Sequence, residues 1–317
     1  MSHYKHFQII EDINVPFDIY PTSLYTTGTL YEGYVRNKPE TYEQCFDQQV
    51  YEHFIRKGKR CNESGELMAR ALHDQAITLA MYDFLSRYDE KCIVGIMGGH
   101  GILRTSEEYK QVVFLSKILT ELGSLMVSGG GPGAMEATHL GAWMAGFTVE
   151  ETLDAIEMVS AAPSFRDEGW LDTAFSVREK YFQSRYESLG IPTWLYGHEP
   201  ANVFATQIAK YFTNSIREDE ILTIAMGGII YTPGSAGTMQ EVFQDAVQNH
   251  YLSFGYSSPM IFMNSDFWTK EMPIFKLFEY LIEKGKYKNL DILLSDSIEE
   301  IVNKLMVFRG EWQRNCH

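Results

Sequence analysis

The stretch SLMVSGGGPGAME, residues 124–136, decides the fold. Its first part, 124–128, is a short apolar run that is typical of a buried β-strand. The chain then passes through the glycine-rich loop 129–133 into a segment with helical character, from about 133 to 145. An apolar strand, a glycine-rich loop and a helix in direct succession are typical of nucleotide-binding α/β proteins, in which the loop lies at the end of a strand.

Two other stretches have the same order of apolar run and glycine-rich loop. CIVGIM (92–97) leads into GGHG (98–101), and GIIYT (228–232) leads into PGSAGT (233–238). Buried strands that alternate with amphipathic helices predict a parallel sheet with helices on both faces. We therefore expect a Rossmann-like, doubly wound α/β fold. In such open sheets ligands bind at the carboxyl ends of the strands, so the three loops predict one shared site.

The hydrophobic periodicity predicts the remaining elements. Helices are expected at about 64–87, 106–122, 149–159, 175–188, 201–224, 238–250, 272–284 and 297–308, and strands at 193–197, 259–263 and 291–295. Residues 147–190 interrupt the alternation and predict a helical insertion or lid within a Rossmann-like domain at 64–317. Residues 1–63 have many aromatic residues and no clear period, which predicts an extension that packs on this domain or on a partner subunit.

Composition excludes several classes of protein. The 317 residues include 27 Lys+Arg and 42 Asp+Glu, a net charge of −15, which argues against a nucleic-acid binder with a basic face. The N-terminal stretch lacks the apolar region of a signal peptide, and no apolar run is long enough to span a membrane. The four cysteines, which are Cys45, Cys61, Cys92 and Cys316, form no CxxC motif. We expect a cytoplasmic protein without a metal or another cofactor, because no metal-ligand spacing is present.

The segment PGSAGTMQE (233–241) carries the clearest chemistry. Gly234 and Gly237 allow the backbone to come close to a ligand, and the first amides of a helix favour an anion. Thr238 adds a hydroxyl donor, so this loop predicts a phosphate site. Glu241 lies three residues later on the same helix face, where its carboxylate can stabilise a positively charged sugar or orient a water. The plainer alternatives are a tight turn and a solvated glutamate.

The other two loops are less specific by themselves. GGGPGAME (129–136) is neither the dinucleotide fingerprint GxGxxG nor a P-loop, so nicotinamide dehydrogenases and NTPases are disfavoured. His100, in the loop after the first strand, is a candidate for contact with a base or phosphate, although a lone histidine is more often a packing or surface residue.

Together these motifs resemble a known family. GGGPGAME with PGSAGTMQE is similar to the LOG-type nucleoside monophosphate phosphoribohydrolases, often misnamed lysine decarboxylases, whose second motif reads PGGxGTxxE. MGGHG (97–101) with ALHDQAI (71–77) resembles more specifically the larger bacterial pyrimidine/purine nucleotide 5′-monophosphate nucleosidases. The resemblance covers about 70–265.

The resemblance implies a Rossmann-like fold and hydrolysis of the N-glycosidic bond of a nucleoside 5′-monophosphate, which gives a free base and ribose 5-phosphate. It implies Glu241 and Arg217 as catalytic residues, with Arg178 and Arg185 as alternatives because Arg217 is offset by about one residue. The implied nucleotide- and phosphate-binding residues are Gly98, Gly99, His100, Gly129, Gly130, Gly131, Gly133, Met135, Gly234, Ser235, Ala236, Gly237 and Thr238. It also implies a homodimer or a higher homo-oligomer.

Two departures from the family pattern keep a second hypothesis open. The offset of Arg217 and the presence of Ser235 where the family usually has glycine fit a nucleotide sensor without catalysis. Serine tolerates a positive φ poorly, so we expect a changed backbone at this loop or an additional hydroxyl donor. An arginine within a few ångströms of Glu241 would favour the enzyme. A pyridoxal phosphate decarboxylase is disfavoured, because neither loop contains a lysine.

Overall fold

The computed structural model describes the backbone of residues 14–315 and the side chains of residues 14–310. The first 13 residues of the predicted extension and Cys316 lie outside the described residues.

The strands that the structure describes form one parallel sheet. They are β1 (Ile93–Met97), β2 (Leu125–Ser128), β3 (Ser188–Gly190), β4 (Gln207–Ile208), β5 (Gly228–Tyr231), β6 (Pro259–Phe262) and β7 (Asp291–Leu294). Their order across the sheet is β4-β3-β2-β1-β5-β6-β7, and every neighbouring pair is parallel. The predicted doubly wound α/β fold is therefore confirmed.

Helices connect these strands. They are α1 (Thr27–Leu30), α2 (Phe46–Lys57), α3 (Ser64–Leu85), α4 (Glu107–Glu121), α5 (Ala134–Trp143), α6 (Val149–Ser160), α7 (Trp170–Lys180), α8 (Asn214–Ile224), α9 (Ala236–Tyr251), α10 (Ile274–Glu283) and α11 (Ile298–Asn315). The central strands β1, β2 and β5 are buried at every position, as a sheet covered on both faces requires.

The strand order places the three glycine-rich loops together. From β1 the chain builds β2, β3 and β4 on one side, and then returns to add β5, β6 and β7 on the other. The point at which this order reverses lies between β1 and β5, and such a switch point is where open α/β sheets bind ligands. The loops after β1, β5 and the adjacent β2 all open at this place.

Three predicted elements differ from the structure. The apolar run at 193–197 is a short 3₁₀ helix, Trp194–Tyr196, and the strand lies earlier, at Ser188–Gly190. The helix predicted over 201–224 begins only at Asn214. The preceding residues are extended instead and pair with the chain at the end of β3. The backbone amide of Ala209 donates to the Gly190 carbonyl at 2.9 Å, and that of Tyr211 donates to the Pro192 carbonyl at 3.1 Å. The second helix of the predicted insertion also lies earlier than expected, at 170–180 instead of 175–188.

Helices α6 and α7 lie between α5 and β3, where the interrupted pattern predicted a helical insertion or lid, and this segment is called the lid below. The described part of the N-terminal extension packs along the β4 edge. Tyr25 and Ile208 exchange backbone hydrogen bonds of 2.8 and 3.0 Å, and buried Asp47 accepts from the Trp194 indole at 2.9 Å and from Lys210 at 2.8 Å. In the part of the chain that the structure describes, no helix has both the length and the apolar character needed to cross a lipid bilayer.

Candidate functional site

The three glycine-rich loops are joined by backbone hydrogen bonds. The Gly99 amide donates to the Pro233 carbonyl at 2.9 Å, and the Gly99 carbonyl accepts from the Ala134 amide at 3.2 Å. Gly133 has a φ of +68°, and a side chain at this position would overlap the Gly99 carbonyl. The loop after β1 thus lies between the other two, and the three form one surface at the switch point.

The start of α9 is the most open part of this surface. Residues 235–237 are exposed, and no side chain caps the helix, so its first amides face outward. Ser235 has a φ of −113°, which any residue adopts, so the backbone at this position does not require glycine. Gly234 is required for a different reason, because a side chain there would overlap the Thr238 side chain.

Arg217 and Glu241 meet at the rim of these loops. Arg217 is on the first turn of α8 and Glu241 is on the second turn of α9, and Arg217 Nη1 lies 3.6 Å from Glu241 Oε1. Both side chains are largely buried, with 12% and 13% of their surface exposed. The offset of Arg217 along its helix therefore does not prevent it from reaching the glutamate.

Burial perturbs the Glu241 carboxyl. It is the largest effect and raises the pKa of Glu241 to about 7. The positive charge of Arg217 lowers this pKa, and the negative charge of nearby Glu218 raises it. One turn later on α9, burial also raises the pKa of Asp245 to about 7, although Tyr231 donates a 2.7 Å hydrogen bond to that carboxylate. A carboxyl with a pKa near neutrality can exchange protons with a reacting group at physiological pH, so Glu241 fits an active site.

Arg217 also faces the loop after β2. Its Nη1 lies 3.7 Å from the position that a Cβ on Gly129 would occupy, and the Met135 thioether lies against the same glycine. Nη2 donates to Asn214 at 3.2 Å, whereas the buried Nε has no hydrogen-bond partner. The guanidinium thus stands between the carboxylate and the glycine-rich loop with donor capacity left for a ligand.

The start of α8, which carries Arg217, is fixed by a residue that sequence reasoning did not select. Asp74 is fully buried on α3, and its two carboxylate oxygens accept from the amides of Phe212 and Thr213, both at 2.9 Å. Its neighbour His73 is hydrogen-bonded to the Tyr25 hydroxyl at 2.8 Å. In the sequence, the only signal for this contact was the His73-Asp74 pair within ALHDQAI. Asp74 positions the start of α8 and, with it, Arg217.

His100 lies in the loop after β1. Its Nδ1 is 3.6 Å from Glu199 Oε1, and its ring meets Phe165 of the lid edge-on at 6.1 Å. Glu199 also lies near Gly131, and sequence reasoning missed it because no motif surrounds it. A carboxylate and an imidazole therefore lie beside the loops after β1 and β2.

The alternative arginines serve other purposes. Arg178 packs on the Trp143 ring at 4.3 Å and bonds to Thr27 at 2.7 Å, which ties α7 to the N-terminal extension. Arg185 is exposed and lies on the Tyr186 ring. Neither is paired with Glu241, and among the arginines with described side chains Arg217 is the one that forms an ion pair with it.

Metal ligation finds no support in the described residues. Within that part of the chain no three His, Cys, Asp or Glu side chains come together in an arrangement that could hold a metal ion.

Comparison with known proteins adds little beyond the fold. No family model matches the chain, and no curated protein matches it. Among solved structures, the chain is similar to the molybdenum cofactor binding protein from the phototrophic bacterium Rippkaea orientalis, with 17% identity, a TM-score of 0.43, and coverage of 68% of this chain and 96% of that one. It is also similar to TM1055, a structural genomics target, with 19% identity, a TM-score of 0.43, and coverage of 67% and 96%. At these values neither match adds to what the strand order already establishes.

Proposed function

We propose that the chain is a hydrolase that cleaves the N-glycosidic bond of nucleoside 5′-monophosphates. The observation that supports this most is the Arg217–Glu241 ion pair, in which Arg217 Nη1 lies 3.6 Å from Glu241 Oε1 at the rim of the three hydrogen-bonded glycine-rich loops. The motif resemblance names the same two residues, and the fold brings them together from separate helices.

The phosphate would bind at the uncapped start of α9, where exposed backbone amides and the helix dipole favour an anion. Thr238 and the loop after β2 would complete its surroundings. A phosphate at this place would put the ribose near Glu241, since the carboxylate is on the second turn of the same helix.

The reaction adds water across the bond between C1′ and the base nitrogen. The water oxygen bonds to C1′ as the C1′–N bond breaks, and the electron pair of that bond passes to the base. Glu241 in its ionised form stabilises the positive charge that develops on the ribose and orients the water, from which it takes a proton for the departing base. Arg217 holds the carboxylate and the ribose phosphate in place.

A sensor without catalysis was the competing hypothesis, and it rested on Ser235 and on the offset of Arg217. The negative φ of Ser235 and the 3.6 Å approach of Arg217 to Glu241 support the hydrolase over the sensor. A homodimer, a cytoplasmic location and the absence of cofactors stay predictions.

The test is release of free base from AMP, GMP, CMP and UMP, measured by chromatography, with adenosine and cytidine as matched nucleosides. Charge-assisted hydrogen bonds contribute about 1.5–3 kcal/mol each, so a nucleoside that lacks two or three of them should react with an efficiency lower by about 10²- to 10⁴-fold. Equal efficiency on AMP and adenosine would contradict the phosphate site. Binding of nucleotides with no base released would favour the sensor.

A further inference from the structure

A cavity separate from the glycine-rich loops lies between the N-terminal extension and the lid. It has a volume of about 410 Å³, within the range of about 300–1,000 Å³ for small-molecule sites. Tyr34, Tyr42 and Tyr51 line it from the extension, and Phe165 and Trp170 line it from the lid. Five aromatic rings around one small cavity favour a planar ligand.

The ring positions are fixed by the protein itself. Tyr34 meets Tyr42 edge-on at 6.5 Å, and the Tyr51 ring packs against Gly197 so closely that a side chain there would overlap it. The buried Trp170 ring has the Arg104 guanidinium 4.7 Å from its centroid. The lining side chains therefore lose little conformational entropy when a ligand stacks on them, which favours binding.

The polar groups of the cavity restrict the charge of that ligand. Asp167 and Glu168 line it together with His198, and no Lys or Arg is among its described lining residues. Arg166 lies 5.1 Å from the Phe165 ring centroid but does not line the cavity. Carboxylates repel a phosphate and accept hydrogen bonds from amino groups, such as those on adenine and cytosine.

We propose that this cavity binds an uncharged purine or pyrimidine ring with an exocyclic amino group, as a free base or a nucleoside, and disfavours nucleotides. The site stands on the cavity alone and does not require the proposed hydrolysis. If the chain is a hydrolase, its free-base product belongs to the class of ligand that this second site accepts.

Photoaffinity labelling of the full chain with 2-azidoadenine, followed by peptide mapping, tests the proposal. We expect the label on residues 34–51 and 165–171. Unlabelled adenine and adenosine should prevent this labelling, and AMP should be at least about tenfold less effective. Label confined to 129–136 or 233–241, no labelling at all, or equal competition by AMP would overturn the proposal. Because hydrolysis of AMP would release adenine, the AMP arm is carried out in the Glu241→Gln variant, in which base release is slow, so that failure of this proposal is distinguishable from failure of the proposed hydrolysis.

Variants give a second readout. Loss of one stacking ring should weaken adenine binding by about tenfold, so we expect this loss for Tyr51→Leu and, independently, for Phe165→Leu. Tyr251→Leu removes an exposed ring far from the cavity lining and is the matched control, with unchanged binding expected. Glu168→Gln should also weaken binding, and it is preferable to a change at Asp167, whose carboxylate holds the Ser164 amide at 2.7 Å. Unchanged adenine affinity in both folded ring variants would contradict the site.

Discussion

Helices α5 and α9 both begin at a glycine-rich loop and both carry a glutamate that faces an arginine, yet the two glutamates have different surroundings. Glu136 on α5 is fully buried, and Arg104 donates to both of its oxygens, at 2.8 and 2.5 Å. Tyr109 adds a third bond at 3.1 Å. Glu241 on α9 is 13% exposed and has one arginine at 3.6 Å.

The difference separates a structural role from a chemical one. Arg104 also donates to the carbonyls of Val159, Ala162 and Trp170, so its pair with Glu136 fastens the lid to the loop after β2. These bonds occupy the Glu136 carboxylate, so we assign it no part in the proposed reaction. Glu241 keeps free acceptor capacity beside the ligand surface. The surroundings, and not the position after a glycine-rich loop, therefore assign the role of each glutamate.

The largest expected effect is on stability, from Glu136→Gln. The substitution leaves the buried Arg104 without its counter-charge, and breaking a buried ion pair in this way costs about 3–5 kcal/mol. Urea unfolding should show a loss of that size in the free energy of unfolding. Glu241→Gln is the matched control and should cost less than about 1 kcal/mol, because it removes a partly desolvated charge. Equal losses in the two variants would contradict the comparison.

The next effect is on turnover, from Glu241→Gln. The amide keeps the shape of the side chain but removes the charge that stabilises the positively charged ribose. Base release from AMP should fall by about 10²-fold or more, with AMP binding largely retained. Single-turnover release and equilibrium dialysis measure the two quantities. Unchanged turnover in this variant would remove Glu241 from the mechanism.

Sequence reasoning identified Glu241 and Arg217 but could not distinguish the environment of Glu241 from that of Glu136. The three-residue spacing from Thr238 predicted Glu241, because helix residues three apart share a face. Arg217 was named only by the family resemblance. The partner of Glu136 could not be predicted, since Arg104 is 32 residues away along the chain and no motif links the two. Asp74 and Glu199 were missed for the same reason, as their contacts join distant parts of the chain.

The predicted fold succeeded where strands are long and fully apolar and failed at the β3–β4 edge. β3 and β4 have only three and two residues, too few for a periodic pattern. Trp194 looked like part of a strand because it is apolar, but it is buried by the extension, where its indole donates to Asp47. Apolar runs cannot by themselves distinguish a buried strand from a buried 3₁₀ turn or an extended loop.

A smaller effect should distinguish two glycines of the α9 loop. A methyl group on Gly234 would overlap Thr238, whereas one on Gly237 meets nothing within 4 Å. Gly234→Ala should therefore lower stability and weaken AMP binding together. Gly237→Ala should leave stability unchanged or raise it by about 0.5–1 kcal/mol, and should weaken AMP binding only if phosphate approaches that amide. Thermal melts and dialysis measure both. Normal AMP binding in both variants would place the phosphate elsewhere.

The most direct test is the titration of Glu241 itself, by ¹³C NMR of protein labelled at the glutamate carboxyls, in the wild type and in Glu241→Gln. Burial raises the pKa of Glu241 from an ordinary value of 4.5 to about 7. Because the folded pKa is the higher one, folding favours the protonated form, and this group's contribution to stability falls as the pH rises from about 4.5 through 7.

We predict one glutamate carboxyl that titrates near pH 7 in the wild type and is absent from the variant. A Glu241 resonance that titrates near pH 4.5 would show that Arg217 keeps it ionised like an ordinary surface carboxylate, and would contradict the distinction between the two glutamates.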